Sequence, residues 1–174
     1  MHNWVIDSRR RVTTLLISMT LLMSACVASS IGQGKKDAAV MGVNYTNEYI
    51  SFSLMSQSGE DLGIGGDAKP FSQGGTGGSS CCAMLPGVGQ TVRVELKVGG
   101  FNDAADQYRT YTRNVIVKGA TSMAPDRHSY LIVRNFPNHE IEAEFVPGDD
   151  PHGMKSPRVD QLLLGKRVMR KMGE

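Results

Sequence analysis

The sequence predicts an all-β domain, an antiparallel sandwich or open barrel of about six strands. Three observations lead there. Apolar and polar residues alternate at period two through the middle of the chain, turn-forming residues separate the alternating runs, and helical spacing is confined to the two ends.

The clearest run is 91–98, where Val92, Val94, Leu96 and Val98 alternate with Arg93, Glu95 and Lys97. One face of such a strand meets a core and the other meets water. The same alternation occurs at 49–54, with Ile50, Phe52 and Leu54 against Ser51 and Ser53, and at 139–145, with Ile141, Ala143 and Phe145 against Glu140, Glu142 and Glu144. Segments 40–46, 108–117 and 129–135 complete the set. Residues 136–139, Phe-Pro-Asn-His, read as a hairpin turn, because proline fixes φ and asparagine tolerates turn geometry. Antiparallel pairing is expected throughout, since parallel pairing usually needs crossover helices that the sequence does not supply. Residues 59–80 are dense in glycine, including Gly74-Gly75-Thr76-Gly77-Gly78, and are expected to form a mobile loop outside the sheet.

At the C-terminus, Ser156-Pro157 suits a helix cap and first turn. Val159, Leu162, Leu163, Met169 and Met172 follow near helical spacing, with Lys166, Arg167, Arg170 and Lys171 between them. Segment 156–174 is therefore read as a short basic helix, either packed on the sheet or frayed, or else in contact with anionic head groups or an acidic partner.

The N-terminus carries a different signal. Arg9, Arg10 and Arg11 precede an apolar stretch, 12–23, that is shorter than the roughly 20 residues a membrane span requires. Ser24-Ala25 then places small residues before Cys26. This order predicts a signal peptide over 1–25, helical in its apolar part, cut before Cys26. The run Leu22-Met23-Ser24-Ala25-Cys26 resembles the bacterial lipobox. The resemblance implies acylation of Cys26, including a palmitate-type chain, and with Val27 rather than Asp in the next position it implies an outer-membrane location facing the periplasm. Several acyl chains anchor stably where one does not. Residues 26–38 read as a polar tether, 39–155 as one β domain, and 156–174 as its tail.

Of the 174 residues, 19 are Lys or Arg and 17 are Asp or Glu. Arg9, Arg10, Arg11 and Asp7 lie in the signal segment, so the remainder is formally neutral. Neutrality argues against a nucleic-acid partner, which needs clustered cations to neutralise phosphate.

Candidate chemistry is sparse. Cys81 and Cys82 are adjacent in a chain expected to be exported, where disulfides form. They read either as a vicinal disulfide or as two small buried thiols entering a strand. No metal is expected there, because zinc takes four ligands and no second Cys or His pair stands near. His128, His139 and His152 each fall near a loop or turn. Asp149-Asp150-Pro151-His152 offers ligand atoms but sits in ordinary loop chemistry. Asn44-Tyr45-Thr46 matches a glycosylation sequon and is assigned no role. Gly74–Gly78 lacks the strand-turn-helix setting of a nucleophile elbow, and Gly63-Ile64-Gly65-Gly66 lacks the βαβ setting of a dinucleotide fingerprint. No catalytic residue, cofactor or metal is therefore expected.

Gly42-Val43-Asn44-Tyr45-Thr46 followed by Ile50, Gly77-Gly78-Ser79-Ser80-Cys81-Cys82 leading to Leu85-Pro86, the Val92-Arg93-Val94 strand, and Phe145-Val146-Pro147-Gly148 with His152 together resemble a proteobacterial lipoprotein family of unknown function. The resemblance covers nearly the whole mature chain, with Cys-Cys-x-x-Leu-Pro its most specific part. It implies an immunity protein that binds and neutralises a type VI secretion phospholipase effector in the periplasm. An accessory envelope lipoprotein that binds a cell-wall or secretion component is the second class expected. Residues 63–78 and 147–157 are the candidate contact surfaces.

Overall fold

The computed structural model describes residues 34–122 and 128–148. The described residues all belong to one compact unit, which begins at Gln33. The described residues build eight strands: β1 (Lys36–Asn44), β2 (Tyr49–Met55), β3 (Asp61–Ala68), β4 (Thr76–Leu85), β5 (Thr91–Gly99), β6 (Arg109–Gly119), β7 (Ser129–Phe136) and β8 (Glu140–Pro147). Short 3-10 turns at Phe71–Gln73, Ala105–Gln107 and Pro137–His139 are the only helical elements among them. The fold is all-β, as the periodicity predicts.

All eight strands belong to one sheet, in the order β3-β2-β5-β6-β8-β7-β1-β4. The edges come together where the N–H of Lys69, just after β3, donates to the Thr76 carbonyl that opens β4, at 3.3 Å. The sheet thereby closes almost fully into a barrel. Inside lie Val92, Val94, Leu96 and Val98 of β5, each at most 1 % exposed. They oppose β2 in register, with Ile50 beside Val98, Phe52 beside Leu96 and Leu54 beside Val94. Leu131, Val133, Ala143 and Phe145 fill the far wall. Each large side chain buried this way contributes about 1.5–3 kcal/mol.

Three expectations are corrected. The strand count is eight rather than about six, because the glycine-dense segment 59–80 supplies β3 and the start of β4 in place of a mobile loop. Glycine serves close approach there. A Cβ on Gly77 would overlap the carbonyl oxygen of Asp67 across the seam, and Cβ atoms on Gly42 and Gly66 would crowd the inward-pointing ring of Phe52, at 2.8 and 3.3 Å. A flexible residue in isolation is thus the only one the closing seam admits. The pairing is also mixed, since β1 runs parallel to β7 and β6 parallel to β8. No helix is needed for the second of these, because the chain skips a place in the sheet and returns through the antiparallel β7–β8 hairpin. Of the two architectures expected, sandwich or open barrel, the single curled sheet is the barrel. The strand β1 starts at Lys36, inside the stretch read as tether.

Replacing Gly77 with valine is expected to destabilise the domain by about 3 kcal/mol, since overpacking against backbone cannot be relieved by a rotamer change. Gly78, whose Cβ would meet nothing within 4 Å, should accept alanine without loss. Urea unfolding of the two variants checks the contrast.

A second apolar cluster lies on the outer face of the barrel, formed by Ala39, Met41 and Val43 of β1, Tyr45, Tyr130, Ile132 and Phe136 of and beside β7, and Val146 of β8. Every residue of β7 is consequently buried, on both faces. Arg134 shares this outer face, 1 % exposed, and donates to Glu142 at 2.9 Å and Glu144 at 3.1 Å. Residues 1–25, read above as a signal peptide, together with Cys26, residues 149–152 and 156–174, lie outside the described residues.

Candidate functional site

The register fixes two distinct barrel ends. The chain enters β1 at Lys36 opposite Leu85, where β4 ends, and leaves β8 at Pro147 opposite Ser129, where β7 starts. Asn44 ends β1 at the other pole, together with the start of β2, the end of β3, the end of β5 and the start of β6. That far pole carries the candidate site.

Its foundation is Asn44, which has no exposure to solvent. The side-chain amide donates to the carbonyls of Glu48 at 2.6 Å and Lys69 at 3.1 Å, with Ala68 at 3.4 Å. Its oxygen accepts from the Thr46 N–H at 2.9 Å, the Thr46 hydroxyl at 2.7 Å and the Asn135 amide at 3.4 Å. One side chain therefore ties together the ends of β1, β3 and β7 and the turn into β2. The sequence offers a sequon here; the structure gives those residues a mechanical role.

Above this corner, the outer face of β2, β3 and β5 forms an open cleft of about 290 Å³ lined by Tyr49, Ser51, Asp67, Lys97 and Tyr108. Register alone assembles it, for Ser51 stands between Asp67 on β3 and Lys97 on β5. Tyr49 and Tyr108 meet edge to face at 6.4 Å and 71°, and Phe101 stands against Tyr49 at 5.3 Å and 77°. Phe101 is 64 % exposed, the most exposed large apolar residue of the described chain.

The loop that holds Phe101 is fixed by its own hydrogen bonds. The Gly100 N–H donates to the Asp103 carboxylate, the Asp103 N–H to the Gly100 carbonyl at 3.1 Å, and the Tyr108 hydroxyl to the same carbonyl at 2.9 Å. Gly99 has no side chain to push the Tyr108 ring away, its Cβ position lying 3.0 Å from that ring. Arg109 and Glu48 pair across the rim. An aromatic ring is thus presented to solvent on a preordered loop.

Burial, then the negative charge of Asp67 and the hydrogen bond to its carboxylate, push the Tyr49 phenol up from 10.0 to about 12. The raised value favours the neutral phenol in the folded state, so the stability it contributes is complete below pH 10 and is lost as pH rises through about 12. Absorbance titration near the tyrosinate band should show one phenol ionising about two units late. Asp67→Asn should lower that midpoint without restoring the ordinary value, because burial is the larger cause.

Ser51 neighbours Lys97 on β5, whose side chain is solvent-exposed. Among the described residues no three His, Cys, Asp or Glu side chains are placed to hold a metal ion. A larger depression of about 510 Å³ at the entry pole is lined by Lys35, Gln57, Leu62, Gln90 and neighbours, and has neither an aromatic ring nor a carboxylate.

The residues singled out by sequence are scattered. Cys81 and Cys82 lie in β4 with their sulfurs in bonding contact across a cis peptide, and both are exposed, which excludes the pair of buried thiols. His128 is exposed at the start of β7. His139 sits in the β7–β8 turn at φ 56°, its ring stacked 3.9 Å from that of Tyr111. Of the two expected contact surfaces, 63–78 contributes Asp67 to the cleft, while only Pro147 and Gly148 of 147–157 are described. Sequence reading missed Tyr49, Lys97, Phe101 and Tyr108; the one available signal was the exposed-type aromatic Phe101 between Gly99-Gly100 and Asn102-Asp103.

No family model matches the chain, and no curated protein matches it.

Proposed function

We propose that the protein is an outer-membrane lipoprotein, anchored through Cys26, that acts by binding and neutralises a type VI secretion phospholipase effector in the periplasm. The single observation that carries the binding role is the position of the Phe101 loop and cleft at the barrel pole opposite Lys36, where the chain enters. The described chain enters β1 at the pole opposite the cleft. An exposed ring on a preordered loop suits a binding anchor, since little conformational freedom remains to be lost on association. The choice of a phospholipase as partner draws on the family resemblance and on the lipid tether, which would place the domain where such an enzyme attacks.

A second reading, an accessory lipoprotein that binds a cell-wall component, draws on the polar row Asp67, Ser51 and Lys97, which suits a small polar ligand more than a protein surface. Co-expression in the periplasm separates the two. On the first reading cells exposed to the cognate phospholipase effector survive when this protein is present, and Phe101→Ala weakens binding by about 2 kcal/mol, or roughly 30-fold in Kd, while leaving stability unchanged. Persistent lysis with the protein correctly located would favour the second.

A further inference from the structure

The row Asp67, Ser51 and Lys97 holds two opposite charges that are not paired with each other. Register sets the three residues side by side across β3, β2 and β5. The Cα atoms of Asp67 and Lys97 therefore stand two strand spacings apart, about 9.6 Å. Both residues are exposed, and among the described residues neither makes an ion pair, although Glu95 shares the outer face of β5 with Lys97. Ser51 between them is short, so the floor of the cleft is low where the two charges face each other. The Tyr49 hydroxyl donates to the Asp67 carboxylate, which holds one end of the row in place. The rings of Tyr49 and Tyr108, edge to face, wall one side. At about 290 Å³ the cleft stands at the small end of the range for small-molecule sites, about 300–1,000 Å³.

We propose that the cleft binds a small zwitterion, an amino acid or a short peptide with free ends, its ammonium on Asp67 and its carboxylate on Lys97. The spacing supports this chemistry. A charge-assisted hydrogen bond takes about 2.8 Å at each end, which leaves about 4 Å for the charge separation of the ligand itself. An α-amino acid spans that distance, and a dipeptide reaches it when the flexible stem of Lys97 leans outward. The order of charges supports it too. An anion would meet Lys97 but be repelled by Asp67, and a cation would meet Asp67 but be repelled by Lys97, whereas a zwitterion answers both at once. The Tyr49 and Tyr108 rings offer an apolar wall to the side chain, so apolar amino acids are preferred. The inference goes beyond the effector reading and deepens the second one, on which it rests for the cleft being a ligand site.

The test follows amide chemical shifts of the full-length protein during titration with leucine, dileucine, leucinamide, which lacks the carboxylate, and N-acetylleucine, which lacks the ammonium. Leucine or dileucine is expected to bind with a Kd of about 1 mM or below, and each singly charged analogue about tenfold more weakly. Asp67→Asn should weaken leucine about tenfold and leave N-acetylleucine unchanged, while Lys97→Met should weaken leucine about tenfold and leave leucinamide unchanged. Tighter binding of leucine than of dileucine assigns a free amino acid, the reverse assigns a peptide, and either upholds the proposal. No saturation by leucine or dileucine overturns it, as does a pair of variants that weaken every ligand alike. Co-sedimentation with purified cell-wall sacculi separates the inference from the reading beneath it. Sedimentation without leucine or dileucine binding overturns the zwitterion alone; binding without sedimentation upholds the zwitterion and counts against a cell-wall ligand.

Discussion

Replacing Asn44 with leucine is expected to be the most damaging single change in the domain, lowering stability by about 4 kcal/mol. The side chain is fully buried and is bonded on both its amide and its oxygen. Leucine has nearly the same volume, so the loss isolates polarity from packing. The carbonyls of Glu48 and Lys69 and the N–H of Thr46 would be left facing hydrocarbon, and each unpaired buried group costs about 1–3 kcal/mol. Asn44→Asp should be no milder, because it replaces the donating amide by an oxygen opposite three carbonyls. Thermal unfolding would register the change as a fall in Tm of about 15 °C for a domain of this size. Because Asn44 also holds the turn into Tyr49, binding at the cleft should fail with it.

The second large effect is expected at Arg134. Its side chain is 1 % exposed, it bridges Glu142 and Glu144, and its guanidinium carbon stands 5.7 Å from the centre of the Phe136 ring. Arg134→Ala leaves two carboxylates, each 14 % exposed, without the cation they share, and removing one partner of a buried ion cluster costs about 3–5 kcal/mol. Arg134→Met combined with Glu142→Gln and Glu144→Gln should recover most of that loss, since a neutral, filled site needs no counter-charge. Chemical denaturation of the single and triple variants decides the matter. A triple variant no better than the single one would mean that packing, and not charge, is what Arg134 supplies.

Much of the fold is legible in the sequence, and the unread parts have a common cause. β5 declares itself because water lies on one side and core on the other, which writes the alternation Val92, Val94, Leu96, Val98 directly into the chain. The β7–β8 hairpin is legible through Pro137 and Asn138, the latter at φ 64°. β3 and β4 are illegible because their glycines answer to a neighbouring strand: Gly77 and Gly66 are needed by Asp67 and Phe52, which local pattern cannot reveal. Parallel pairing is hidden for the same reason, as it follows from the place a strand takes in the sheet and not from any residue in it.

The site was less legible than the fold. Tyr49, Asp67, Lys97 and Tyr108 come from four separate segments, and only the register of β2 with β3 and β5 joins them. Asp67 also fell in the stretch read as loop. Cys81 and Cys82 were visible as a pair, but their adjacency says nothing of a position on the exposed edge of the seam strand.

The most direct measurement titrates the purified protein into a type VI secretion phospholipase effector of the class proposed as its partner. Hydrolysis should fall to a residual level near one molar equivalent, and a Phe101→Ala protein should need much more. Undiminished hydrolysis at large excess, with the protein folded, would contradict the neutralising role.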